Sequence, residues 1–150
     1  MKKFYLFIAF MLLINAGFAQ SPRLVLVEEF TGETCGPCAV YNPAFNATME
    51  SFPGTVISLK YQNNIPSAGA NFYAYNTADI SNRTTFYSNT YSPHGFIDGN
   101  YWDGNVASVT ASQFTARTAV TSPFSIVTTH SFSPAHDIIN VHVEVTASEV

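Results

Sequence analysis

Cysteine is scarce in this 150-residue chain: there are two, Cys35 and Cys38, three positions apart. Such a pair is a poor staple, because the loop it closes is minimal and so is the chain entropy it removes. Chemistry explains the pair better than structure does. Two thiols also fall short of the four ligands of a structural zinc site. His130, His136 and His142 add no second ligand pair at finger spacing, so no metal and no other cofactor is expected. Charge is scarce as well, at 11% of residues with a net of −4, which leaves no basic footprint for nucleic acid. There is no phosphate-cradling glycine loop, no serine-nucleophile elbow, and no repeat or low-complexity run. With 47% hydrophobic residues the chain can fill a core, and its length suits one domain with part of a second.

The longest apolar run, Phe4 to Ile14, falls short of the roughly 20 residues that span a bilayer. It follows Lys2 and Lys3 and precedes the small residues Gly17 and Ala19, the layout of a secretory signal cut before Gln20. Residues 1–19 are therefore read as a signal peptide. The mature chain is expected outside the cytoplasm, where disulfides persist, with no membrane span after cleavage.

The most informative stretch runs from Leu24 to Pro43. Leu24–Val27 is a short apolar run of strand length, and Gly32 then breaks the pattern. Pro37 has φ preset for the first turn of a helix and lacks an N–H that would go unused there. That places Cys35 at a helix N-terminus, where unpaired N–H groups and the positive dipole end favour a thiolate. Cys38, one turn on, is placed to close a disulfide with Cys35. Phe45 and Met49, at i and i+4, mark the buried face of the helix, and Phe52-Pro53-Gly54 ends it.

Thr55–Tyr61 reads as the next strand, parallel to the first through a right-handed crossover. Lys60 near its end is either an edge residue snorkelling to water or a partner for Glu29. Alternation lets one of Glu28 and Glu29 face inward, and Glu29 is the expected one. Residues 71–91 are rich in aromatics, with a loop followed by a helix over Ala78–Asn89. Val106–Val120 reads as one closing helix with Val106, Val109, Phe114 and Ala116 on its inner stripe. From Phe124 the pattern changes: Ile126–Phe132 is a strand, Ser133–Asp137 a turn, and Ile139, Val141, Val143 and Val145 alternate as in a half-exposed strand.

The strand, Cys35-Gly36-Pro37-Cys38, the helix and Pro43 five residues on resemble the thioredoxin-like superfamily. The resemblance implies an α/β fold, a central mixed sheet flanked by helices, over residues 20–121. Residues 122–150 would then begin an all-β segment, the first hairpin of a truncated β-sandwich. With the Val-Glu-Glu-Phe-Thr-Gly lead-in, the chain is similar to a bacterial outer-membrane-associated thioredoxin-like family whose members carry such a sandwich. A periplasmic, outer-membrane-associated or secreted location follows from that likeness.

The activity it implies is thiol–disulfide exchange with protein or peptide thiols and disulfides, supported by a separate redox partner. Cys35, nearer the surface, would form the mixed disulfide, Cys38 would resolve it, and a buried Glu29 would shuttle the proton of Cys38. Tyr91-Ser92-Pro93-His94 resembles the family's cis-proline segment. By that likeness Ser92–Pro93 is cis, faces the disulfide, and leaves the Ser92 backbone free for an extended substrate. Thr34 stands where the family carries tryptophan. His94 follows the proline, either as a cation near Cys35 or as a solvated turn residue, and Glu33 would oppose a thiolate. A non-catalytic envelope binding protein with a static disulfide is the alternative.

Overall fold

The computed structural model describes residues 21–66 and 71–147, so the signal-peptide reading lies outside the described residues. The chain divides into two units, Leu24–Ala119 and the segments up to Arg23 and from Val120 on.

In the first unit the element order is β1 (Val25–Thr31), α1 (Gly36–Glu50), β2 (Val56–Gln62), α2 (Asn71–Ala74), α3 (Thr77–Phe86), β3 (His94–Ile97), β4 (Trp102–Gly104), a 3₁₀ turn (Val106–Ser108) and α4 (Ala111–Thr118). The strands form one mixed sheet in the order β2-β1-β3-β4. β1 and β2 run parallel, Val25 opposite Val56 and Thr31 opposite Gln62, while β3 is antiparallel to both β1 and β4. A parallel pair needs a crossover, and α1 supplies it.

Side chains alternate across β1, so its two faces can be followed separately. Val25 and Val27 join Ile97, Phe45, Met49, Val106 and Phe114 in a core beneath α1 and α4, with Phe52, Val56, Trp102 and Val109 at its margin. Phe30 faces the other way, packing on Tyr61, Tyr87 and Phe96 at ring-centroid distances of 5.1, 6.0 and 5.9 Å. The sheet is therefore covered on both sides. That explains why β1 is buried at nearly every position rather than at alternate ones.

Several expectations need correcting. Val106–Val120 is not one helix: a 3₁₀ turn ends at Ser108, and α4 begins after Thr110. Thr110 and Gln113 form a reciprocal capping box, which restarts the helix there. The break turns Ala116 to solvent while Phe114 stays fully buried. The loop read before α3 contains the single-turn helix α2, and α3 ends at Phe86 rather than Asn89.

In the second unit β5 (Phe124–Phe132) and β6 (Ile139–Ala147) make a two-stranded antiparallel sheet, with Phe132 opposite Ile139 and Ile126 opposite Val145. Its turn is held by Ser133, whose hydroxyl donates to Asp137 and accepts from the Asp137 and Ile138 N–H groups. Ser21 exchanges main-chain hydrogen bonds with Ser122. Rather than half-exposed, every residue of β6 is exposed: Val141, Val143 and Val145 each keep more than half of their surface.

Candidate functional site

The site begins where β1 runs out. Gly32 follows Thr31 in a turn too close to the next loop for a side chain, since a Cβ there would meet the Ile65 carbonyl at 3.0 Å. The Cys35 N–H closes the turn onto the Gly32 carbonyl at 3.1 Å. Cys35 is then the N-cap of α1, with Pro37 in the first turn. Its Sγ accepts the Cys38 N–H at 3.1 Å, which occupies one of the orphan donors at the helix start.

Cys35 and Cys38 are joined in a disulfide. The expectation that Cys35 lies nearer the surface is not met, for the two are 4% and 3% exposed. The capping geometry accounts for this, because it folds the Cys35 sulfur back over the first turn of α1. The pair is reached through a shallow pocket of about 280 Å³ lined in part by Thr31, Gly32, Glu33, Asn42 and Asn46. Gly36 leaves open space around its Cα, and Pro43 lies within α1, where it removes one ladder hydrogen bond.

Glu29 is fully buried on the α1 face of the sheet and is paired with Lys60 of β2. The Lys60 ammonium also donates to Asn46 Oδ1 at 2.8 Å, so of the two readings for Lys60 the structure has the ion pair. Burial pushes the Glu29 carboxyl up, against the pull of Lys60 and of the neighbouring Asn42 amide. Asn42 spends its Nδ2 on Thr31 Oγ1 at 3.0 Å. Glu29 Oε1 and Asn42 Oδ1 are both left without a hydrogen-bond partner among the described residues. Asn42 and Asn46 thus line the pocket on one side and adjoin the Glu29–Lys60 pair on the other.

Glu28 was expected to face solvent if Glu29 faced inward, and it is buried too, on the opposite face. The two-sided cover of the sheet is the reason. Arg83 of α3 holds its two oxygens at 2.6 and 2.7 Å, and Tyr61 and Tyr87 donate their hydroxyls to it. Burial alone would raise this carboxyl, but Arg83 and the two phenols outweigh it and hold Glu28 below the ordinary range. Burial and the Glu28 charge push both phenols up to about 12. Sequence reasoning missed this network. The available signal was the scarcity of cations: after Arg23 there are only Lys60, Arg83 and Arg117, and each meets a buried acid.

Ser92–Pro93 is a cis bond, and Pro93 is fully buried. Continuing the β1–β3 register one residue past His94 sets Pro93 beside Thr31, at the end of the sheet where the Gly32–Cys35 turn starts. A second cis bond, Ile65–Pro66, was not anticipated. Buried Asn63 ties the two proline loops together: it exchanges hydrogen bonds with the Ser92 hydroxyl at 3.0 and 3.1 Å and receives the Ile65 N–H. Its own N–H goes to the Thr31 carbonyl at 2.8 Å. The Ser92 main chain takes no partner among the described residues.

His94 is neither a solvated turn residue nor a cation. It opens β3, is 9% exposed, stacks on Tyr91 at 4.0 Å and bonds Asn89 Oδ1 through Nδ1 at 2.6 Å. Burial lowers its pKa against the opposing pull of Asp103, so the ring is neutral near pH 7. Glu33 is also committed, accepting the Asn71 and Phe72 N–H groups at the start of α2. Among the described residues no helix is long and apolar enough to cross a membrane, and no cluster of three metal-ligating side chains occurs. No protein-family model matches the chain, and no curated protein matches it.

Proposed function

We propose that this protein is an extracytoplasmic thiol–disulfide oxidoreductase of thioredoxin-like fold acting on protein disulfides. The observation that carries the reading is the Cys38 N–H bonded to the Cys35 sulfur at the start of α1. A donor and a helix dipole aimed at one sulfur favour its thiolate, the attacking and leaving form in disulfide exchange. The sheet order β2-β1-β3-β4, the cis Ser92–Pro93 bond and a Ser92 main chain without a partner among the described residues fit the same reading. The compartment rests on the signal-like residues 1–19.

In the oxidising direction, a substrate thiolate attacks the Cys35 sulfur. The Cys35–Cys38 bond breaks, and Cys38 leaves as a thiolate that takes up a proton. A second substrate thiolate then attacks the substrate sulfur of the mixed disulfide and expels Cys35, whose charge the Cys38 N–H receives. Two electrons have passed to the protein and the substrate holds a new disulfide; the reverse sequence reduces a substrate. Glu29, its affinity for a proton raised by burial on the α1 face, serves as the proton reservoir for Cys38.

The near-complete burial of both cysteines favours a second reading, a binding protein with a static disulfide. Insulin reduction by dithiothreitol separates them. The enzyme reading predicts turnover above background that is lost in Cys35→Ser; background rates in both proteins contradict it.

A further inference from the structure

The two edges of the four-stranded sheet are built differently. β4 is three residues long and ends at Gly104 with φ +154, which blunts that edge. β2 is seven residues long, without proline or glycine, and no strand covers its outer side among the described residues. Its ladder directions follow from its ends. The Thr55 carbonyl and the Asn63 N–H both bond to β1, so the groups of Ile57, Leu59 and Tyr61 point that way too. The N–H and C=O groups of Ser58, Lys60 and Gln62 therefore point outward, without a partner among the described residues, whereas the Val56 N–H goes to the Phe52 carbonyl.

Natural edges of this length carry a charge that repels a second strand. The one charge here is Lys60, and its ammonium is turned onto Glu29 and Asn46 beneath α1. On the other face Ile57 and Leu59 are 45% and 46% exposed, an apolar stripe at an open edge.

We propose that β2 pairs antiparallel with β2 of a second copy, about a two-fold axis through Leu59. That register sets Val56 opposite Gln62, Ile57 opposite Tyr61, Ser58 opposite Lys60 and Leu59 opposite its own counterpart. Every outward-pointing residue then meets an outward-pointing residue, as a ladder requires. Ser58 and Lys60 exchange their main-chain hydrogen bonds, and Ile57, Leu59 and Tyr61 of both copies line one face as cross-strand neighbours. An axis through Lys60 would set ammonium beside ammonium. One through Ser58 would run the pairing into Gly54, a turn residue with φ +73. The Leu59 axis avoids both and uses the whole strand. The result is one continuous eight-stranded sheet, with the disulfide pocket of each copy beyond the C-terminal end of β1.

This inference is independent of the redox reading. Its test is light scattering of the full chain over a concentration series, with Ser58→Pro and Leu59→Lys as variants. Ser58→Pro removes an outward N–H and leaves the β1 ladder intact. The chain is expected to reach twice its monomer mass, and each variant, entering the interface twice, should weaken association at least about tenfold. A monomer throughout, or a dimer that ignores both variants, overturns the proposal. Should a variant unfold, hydrogen exchange on the unaltered chain decides. Protection of the Ser58, Lys60 and Gln62 amides that rises with concentration supports the pairing, and fast exchange at every concentration refutes it.

Discussion

Glu28 and Glu29 sit side by side in β1 and point through opposite faces of the same sheet, both shut off from water. Glu28 has every need met: a two-pronged guanidinium and two phenols converge on it, and it stays ionised well into acid. Glu29 has one cation and, among the described residues, an oxygen without a hydrogen-bond partner, so burial prevails and its proton is held more tightly than usual. The first is a charge locked into the structure. The second is a carboxyl whose pKa burial raises, on the face that carries the disulfide helix. Identical chemistry separated by one residue gives a carboxyl held below the ordinary pKa on one side and one pushed above it on the other, and the difference lies in how many partners the opposite layers supply.

The largest effect expected is from Arg83→Met, which strands Glu28 without its counter-charge. Urea unfolding should show a loss of about 2–4 kcal/mol, discounted because the guanidinium is partly solvated. Glu29→Gln should instead leave the fold near its original stability and slow disulfide exchange by about 10- to 100-fold near neutral pH, read by stopped-flow with a model disulfide. Lys60→Met should cost about 1–2 kcal/mol, less than Arg83→Met, because Glu29 can take up a proton when its partner goes. If Lys60→Met proves the more damaging of the two cation losses, the contrast drawn between the acids fails.

The smallest effect is in the pH profile, where the two acids should have opposite signs. Glu28 is lowered from the ordinary value near 4.5, so its contribution is complete above that value and is lost as pH falls through the depressed one. Glu29 is raised from the same value, so its contribution is complete below it and is lost as pH rises through the elevated one. Melting temperatures from about pH 3 to pH 7 check this. Glu28→Gln should flatten the acid limb, and Glu29→Gln should remove a decline above about pH 4.5.

Local chemistry was readable in the chain. Cys35, Pro37 and Cys38 announce a helix start because the capping sulfur, the fixed φ and the spacing lie within four residues. Phe45 and Met49 announce its buried face for the same reason. The Thr110–Gln113 capping box is equally local, and it starts α4 where apolar periodicity alone runs a single helix from Val106. What could not be read depended on layers brought together from afar. Burial of both Glu28 and Glu29 needs helices on both sides of the sheet, and the partner of Glu28 is 55 residues away. Asn63 reads as one more polar loop residue, yet it is a buried clamp between the end of β1, the loop after β2 and the one before β3. His94 stacks on Tyr91, bonds Asn89 and has its pKa lowered by burial, none of which its place after a proline reveals.

The central claim is that the start of α1 is built to hold negative charge on one sulfur. Ultraviolet titration of the Cys35 thiolate in a reduced Cys38→Ser variant measures that charge without needing a substrate. The account predicts a midpoint clearly below the free-thiol value of ~8.5, and a midpoint at or above it would contradict the account.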